Sequence, residues 1–337
     1  MPHPAPSAEF QLEFLKKVEV LLAQGRFTST YKFALLIALT NIAVERGDDT
    51  SDELKVGLDE IARQYLALYW NMARPYPRIN AILKQNREAN SPSRMITLLE
   101  GEARHSRSSF KRLRVYRASD DELVAETCRT LKRDVLYRLQ ATGGQSDSTG
   151  SDRFLYDRPS NSAQCAGLTH LVLKPGIAAC LRRLSGVVVA MIQAHWALWL
   201  RKNNKELSVD RGLEQFLFVR VRSNVAIYAE RLFRLQGELC FYTGAKLENS
   251  KSGQVDHFIP WARYPFDSPF NLVLASREAN NKLRDQIKEP ALRTKWLERN
   301  DAHFGGLTAP APLGFGAATE DAETAKAISD WLYRTPA

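Results

Sequence analysis

Cys240-Phe241-Tyr242-Thr243-Gly244, Val255-Asp256-His257-Phe258-Ile259-Pro260-Trp261, Phe270-Asn271-Leu272-Val273-Leu274 and Asn280-Asn281-Lys282 follow one another between Cys240 and Asp285 of a 337-residue chain. Two short apolar runs bracketed by turn formers read as strands. The polar stretch after Ala275-Ser276 reads as a helix that carries Asn280. An Asp-His pair on a strand, a turn-forming Asn and an Asn on a following helix bring together side chains that can bind a hard cation and accept a proton.

The residue types fit that chemistry. Cleaving a phosphodiester needs an activated water and relief of charge on the phosphate and the leaving oxygen. A hard divalent cation suits that charge and prefers oxygen ligands such as a carboxylate or a carboxamide. A neutral imidazole can take the proton from water near pH 7. Neighbouring strand residues point to opposite faces, so Asp256 and His257 need a bend after them, and Pro260 is placed to enforce one. Packing the helix across the strands brings Asn280 toward Asp256.

This pattern resembles the HNH endonucleases, also called ββα-metal or His-Me finger nucleases. The resemblance covers Cys240 to Asp285 and rests on Val-Asp-His-Phe-Ile-Pro-Trp, Asn-Leu-Val-Leu and Asn-Asn-Lys in that order. It implies that His257 is the general base and that Asp256 and Asn280 hold one metal ion, Mg²⁺ or Mn²⁺. Asn271 then shapes the loop and orients the catalytic His. Adjacent Asn281 is the competing candidate for the helix ligand, and spacing from Asn271 favours Asn280. Many members carry four zinc-binding cysteines. The corresponding positions here are Cys240, Thr243, Ser276 and Ala279, so no structural zinc is expected. Apolar packing by Phe241, Tyr242, Leu247 and Phe258 is expected to stabilise the module instead. A lysine often found three residues after the helix Asn is Leu283 here, with Lys282 one earlier.

The chain carries a formal net charge of +9, which favours a polyanionic partner. Residues 174–234 hold eleven Lys/Arg against four Asp/Glu, and residues 104–138 ten against five, whereas 236–290 balances at seven each. The residues expected to meet phosphates are Arg220, Arg222, Arg263 and Lys282, with a merely solubilising surface as the competing reading. Arg263 has an alternative partner in Asp267. The four cysteines, Cys128, Cys165, Cys180 and Cys240, are widely spaced and form no Cys-x-x-Cys pair, so no disulfide framework is expected. No signal peptide is recognised, and the apolar runs are too short for a membrane span. A cytoplasmic location follows as an expectation.

Along the chain, helices are expected at Glu9–Ala23, Tyr31–Glu45 (buried and central) and Leu58–Tyr69, with a start signal at Ser51-Asp52-Glu53. A further helix is expected at Asp120–Leu139, a strand at Thr169–Leu173, and helices over Ile177–Trp199, Leu213–Leu235, Arg293–Arg299 and Asp321–Tyr333. Thr142–Asp152 is the expected linker. His195, beside Trp196 on an apolar helix, reads as a core histidine. The expected class is mostly α with a small α+β part. A helical domain (1–100) is followed by a basic connector and linker (101–153), a basic helical domain (154–235), the ββα-metal (HNH) module (236–290) and a C-terminal tail and helix (291–337). The function implied by the resemblance is a metal-dependent DNA endonuclease or nickase, with RNA a second substrate class. Restriction or anti-phage defence is the implied setting, with a homodimer or defence partners beside it. The rival reading is a non-catalytic nucleic-acid-binding or assembly protein with a degenerate HNH fold.

Overall fold

Tyr31 to Val44 are all buried, which makes the helix they begin the centre of the N-terminal core. The computed structural model describes residues 4–87, 92–104, 121–141, 153–207, 212–218, 225–261, 263–264, 268–309 and 320–334. The chain separates into two compact units, Met1–Val219 and Arg220–Ala337. The expected linker at Thr142–Asp152, and the expected phosphate-binding residues Arg220 and Arg222, lie outside the described residues.

In the first unit, α1 (Ala8–Gln24) is capped by Ser7 and buries Phe14, Val18, Leu21 and Leu22. Helix α2 (Tyr31–Arg46) is apolar nearly all round, so it can only be stable surrounded. It packs against α3 (Leu58–Tyr69), α6 (Ile177–Arg183) and α7 (Ser185–Asn203). Its buried polar groups are satisfied. Thr40 donates to the Leu36 carbonyl at 2.8 Å, and Asn41 donates to Gln64 at 3.0 Å. Arg182, 2% exposed, donates to the Val44 carbonyl in the last turn of the helix, where carbonyls lack helical partners. Helices α4 (Arg94–Arg104) and α5 (Asp121–Thr130) pack together, and a π-helical turn, Leu131–Val135, continues α5.

Two expectations are corrected here. The start signal at residue 51 opens a strand, β1 (Leu54–Gly57), which pairs antiparallel with β2 (His170–Leu173). Segments 1–100 and 154–207 therefore share one sheet and one core. The long helix expected over Ile177–Trp199 is two helices, α6 and α7, bent by 82°. The break lies at Leu184, whose backbone leaves helical geometry (φ −101°, ψ 13°). No single helix among the described residues is long and apolar enough to cross a membrane.

The basic excess of 174–234 also has a structural component. Arg182 and Arg183 face Asp49, Arg201 makes a bidentate pair with Glu214 at 2.7 Å, and Arg231 donates to the Ala309 carbonyl. These cations hold the fold together.

The second unit contains α8 (Ala229–Leu235), the hairpin β3 (Gly253–His257) and β4 (Leu272–Ser276), and α9 (Arg277–Leu283). It continues with α10 (Pro290–Ala302), a short helix Phe304–Thr308 and α11 (Glu320–Arg334). Gly253 faces β4 so closely that a Cβ would sit 2.9 Å from the Leu274 side chain and 3.1 Å from the Ala275 carbonyl. Helix α10 is more than a tail. Its Trp296 is fully buried and stacks on Phe258, with ring centroids 4.6 Å apart. Arg299 donates to the Leu272 carbonyl and Asn300 to that of Phe270. The hairpin is thus clamped by chain beyond residue 290.

Candidate nuclease site

The hairpin register fixes the site. Asp256 lies opposite Val273 and His257 opposite Leu272. The chain then bends over Phe258 and Ile259, and Asn271 holds that bend. This side chain is fully buried. Its Oδ1 accepts from Ile259 N at 2.7 Å and its Nδ2 donates to Ile259 O at 3.2 Å, while Phe258 N donates to the Asn271 carbonyl at 2.8 Å. One carboxamide thus satisfies both backbone groups of a residue in the turn that follows His257.

Helix α9 is capped by Ser276, whose hydroxyl accepts from Ala279 N at 3.2 Å. One turn in, Asn280 lies between two strand residues. One polar atom of its carboxamide is 3.0 Å from Gln254 Oε1, and the other is 3.3 Å from both carboxylate oxygens of Asp256. With nitrogen toward Asp256, the amide donates to both oxygens. With oxygen toward Asp256, three oxygens face one another, an arrangement that a cation among them satisfies. An oxygen-only donor set matches a hard divalent ion. Among the described residues, no three His, Cys, Asp or Glu side chains gather as a metal-binding group. A cation here would thus be held by Asp256 and Asn280, with water completing its shell.

His257 is 6% exposed, and its ring lies 5.1 Å from that of Trp261. Strand alternation puts it on the face opposite Asp256. The structure brings Asp256 and Asn280 together and sets His257 beside Trp261. Arg263 and Lys282 are exposed. Asp267, the alternative partner of Arg263, lies outside the described residues.

Two neighbours of Asp256 escaped the sequence reading. Tyr242, expected only to pack, donates its hydroxyl to Asp256 Oδ2 at 2.7 Å. Burial, and then the Asp256 charge, push the Tyr242 hydroxyl well above its ordinary range, so it remains a protonated donor. Lys288, 3% exposed, lies 5.4 Å from the Tyr242 ring centroid and donates to the Arg284 carbonyl at 2.8 Å. Burial pulls its ammonium down, while the charges of Asp256 and Asp285 act against that. The word Cys-Phe-Tyr-Thr-Gly carried a signal for Tyr242. Nothing in the sequence pattern marked Lys288.

The positions that carry zinc-binding cysteines in related modules also converge. The Cys240 thiol sits 3.8 Å from the Ser276 hydroxyl and accepts from Ser276 N at 3.2 Å. Burial works to raise this thiol, but hydrogen bonds from Thr243 and Ser276 outweigh it and hold the group below its ordinary value. One sulfur, two hydroxyls and a methyl group do not make a zinc site. Gly244, at φ +71°, turns the chain here so that its N–H donates back to the Cys240 carbonyl.

Comparison with known proteins agrees with this geometry. No curated protein and no solved structure matches the chain. Residues 11–136 match the family described as a domain of unknown function (DUF8808). Residues 240–287 match the HNH endonuclease family. That span takes in Tyr242, Asp256, His257, Asn271 and Asn280, and HNH nucleases act on nucleic acids with divalent metal ions. The C-terminal unit of this chain carries an HNH endonuclease module.

Proposed function

We propose that the protein is a metal-dependent HNH endonuclease or nickase that hydrolyses DNA phosphodiester bonds, with RNA as the second substrate class. The observation that carries this reading is the approach of the Asn280 carboxamide to both oxygens of Asp256, one residue before His257. Asp256 and Asn280 hold one Mg²⁺ or Mn²⁺ ion. When bound, that ion supplies charge stabilisation to the phosphate and the leaving oxygen. His257 accepts the proton of the attacking water at an imidazole nitrogen, and Trp261 limits solvent around the ring. Asn271 fixes the backbone after His257. Tyr242 holds one oxygen of Asp256 and so limits the rotation of the carboxylate. Arg263 and Lys282, both exposed, take neighbouring phosphates. The products are a 5′-phosphate and a 3′-hydroxyl.

One such module cuts one strand, so a double-strand break needs two, for example in a homodimer. A role in restriction or anti-phage defence, with partner proteins, follows from the resemblance to HNH effectors. The intact trio of Asp256, His257 and Asn280 favours catalysis over a degenerate, binding-only module. The test is incubation of supercoiled plasmid and of a labelled RNA with Mg²⁺, Mn²⁺ or EDTA, using wild type and Asp256→Ala. Metal-dependent cleavage lost in the variant supports the reading. EDTA-resistant cleavage, or full activity in the variant, refutes the metal site.

A further inference from the structure

Among its described residues, the first unit contains a buried cation with no acid paired to it. Lys32, in the first turn of α2, is 6% exposed. Its ammonium lies 5.3 Å from the centroid of Phe27, in the segment leading into the helix. Among the described residues it makes no hydrogen bond and no ion pair. A buried ammonium without a counter-charge is unfavourable and calls for an explanation.

Its surroundings are positive. Burial pulls its ammonium down to about 8, and the charges of Arg138, Arg158 and Arg26 act in the same direction. Arg158 is steered by Nη1 donating to the Tyr137 carbonyl at 3.0 Å, and the Arg138 guanidinium lies 4.9 Å from the Tyr137 ring centroid. The helix start adds to this field. The Thr30 side chain does not cap α2, because its hydroxyl is engaged by Tyr69 at 2.6 Å and Gln85 at 2.8 Å. The first-turn N–H groups of a 16-residue helix therefore keep their positive end uncapped by a side chain.

Arg26 and Phe27 also line a groove of about 480 Å³ with Arg87, His195, Trp199 and Lys202. No Asp or Glu stands among its described lining residues, and Arg26, Arg87 and Lys202 are exposed. His195, expected as a core residue, is half-buried at this groove. Phe27 thus has the buried Lys32 ammonium near its ring and is part of the wall of a groove whose charged lining residues are all cations.

We propose that the N-terminal unit carries a phosphate site beside the start of α2, at the groove lined by Arg26, Arg87 and Lys202 with the Lys32 ammonium against Phe27, which binds a nucleic-acid strand. The recognised chemistry is the phosphate, and three exposed cations, Arg26, Arg87 and Lys202, on one groove favour a strand over a free nucleotide. The site is independent of the roles assigned to Asp256, His257 and Asn280, because binding needs no cleavage.

The test uses the full chain in EDTA and a fluorescently labelled single-stranded 12-mer, followed by polarisation, with AMP and inorganic phosphate as competitors. Lys32→Met keeps a buried side chain of similar length without the charge. Arg26→Glu changes only an exposed residue and serves if Lys32→Met fails to fold. His257→Ala is the control for the nuclease module. Each of the first two variants is expected to weaken 12-mer binding at least tenfold and to flatten its salt dependence, by a log–log slope of about 0.7 for each phosphate no longer neutralised. His257→Ala is expected to bind as wild type. Unchanged affinity and slope in both charge variants overturns the site. Tight AMP binding that Lys32→Met abolishes, without 12-mer binding, overturns the strand assignment and makes the ligand a free nucleotide.

Discussion

Tyr242 donates its hydroxyl to Asp256 at 2.7 Å, while the Asn280 carboxamide meets both oxygens of the same carboxylate at 3.3 Å. Asp256 is therefore approached by two groups that reach it from outside its own strand. A carboxylate held in this way has lost its rotational freedom before a cation arrives, and pre-organisation of this kind raises affinity.

Tyr242→Phe removes the donor and keeps the ring. A hydrogen bond to a charged group contributes about 1.5–3 kcal/mol, so the metal concentration for half-maximal cleavage should rise at least tenfold. The rate at saturating metal should fall less. A metal titration of cleavage, paired with a melting curve, checks this. An unchanged metal requirement would mean that Tyr242 only packs.

Asn271→Ala leaves both backbone groups of Ile259 without their side-chain partner. The expected loss is about 2–3 kcal/mol of stability in the C-terminal unit, since buried polar groups are left unsatisfied. Activity should fall as well, because the bend after His257 loosens. Chemical denaturation read in the C-terminal unit measures the first effect. A variant as stable as wild type contradicts the role given to this side chain.

Much of the site was legible in the sequence because its parts are local words. Asp256-His257 sits on one strand, Asn271 ends one loop, and Ser276 caps the helix that presents Asn280. Each of these features follows from residues within one turn or one strand. The misreadings share a cause in long-range partners. Leu54-Lys55-Val56-Gly57 becomes a strand only because His170–Leu173 lies beside it. The run from Ile177 to Trp199 contains no proline to announce the bend at Leu184. Arg182 reads as surface charge until it is found buried against α2. Lys288 reaches the Tyr242 ring through tertiary packing alone, which no spacing rule encodes. Helix α10 reads as a separate tail because Trp296 meets Phe258 across 38 residues of chain.

Trp296→Ala tests whether that helix belongs to the nuclease core. Removing a fully buried indole stacked on Phe258 should cost about 3–5 kcal/mol. Truncation of the chain after residue 289 should be equally damaging. Limited proteolysis of the 225–289 region is the readout. Wild-type resistance in the variant would show that the hairpin stands without α10.

The depressed ammonium of Lys32 makes stability depend on pH. Its folded-state value is about 8 against an ordinary 10.5. Between those values the unfolded chain holds the proton more tightly, so stability of the N-terminal unit should rise as pH increases from about 8 to 10.5. Below about 8 the penalty is at its full size, on the order of 3 kcal/mol. Lys32→Met should therefore melt higher than wild type at pH 7, with the gap narrowing toward pH 10. Parallel melting curves across this range would exclude a strained charge at this position.

The central claim is that the His257 imidazole serves the same phosphodiester as the Asp256 carboxylate and the Asn280 carboxamide. The most direct measurement is the nicking rate of supercoiled plasmid in Mg²⁺ by wild type and His257→Ala, with metal binding and melting temperature followed in the same samples. The account predicts that the variant folds and binds metal as wild type does while its nicking rate falls at least a hundredfold. Equal nicking by the two proteins would contradict it.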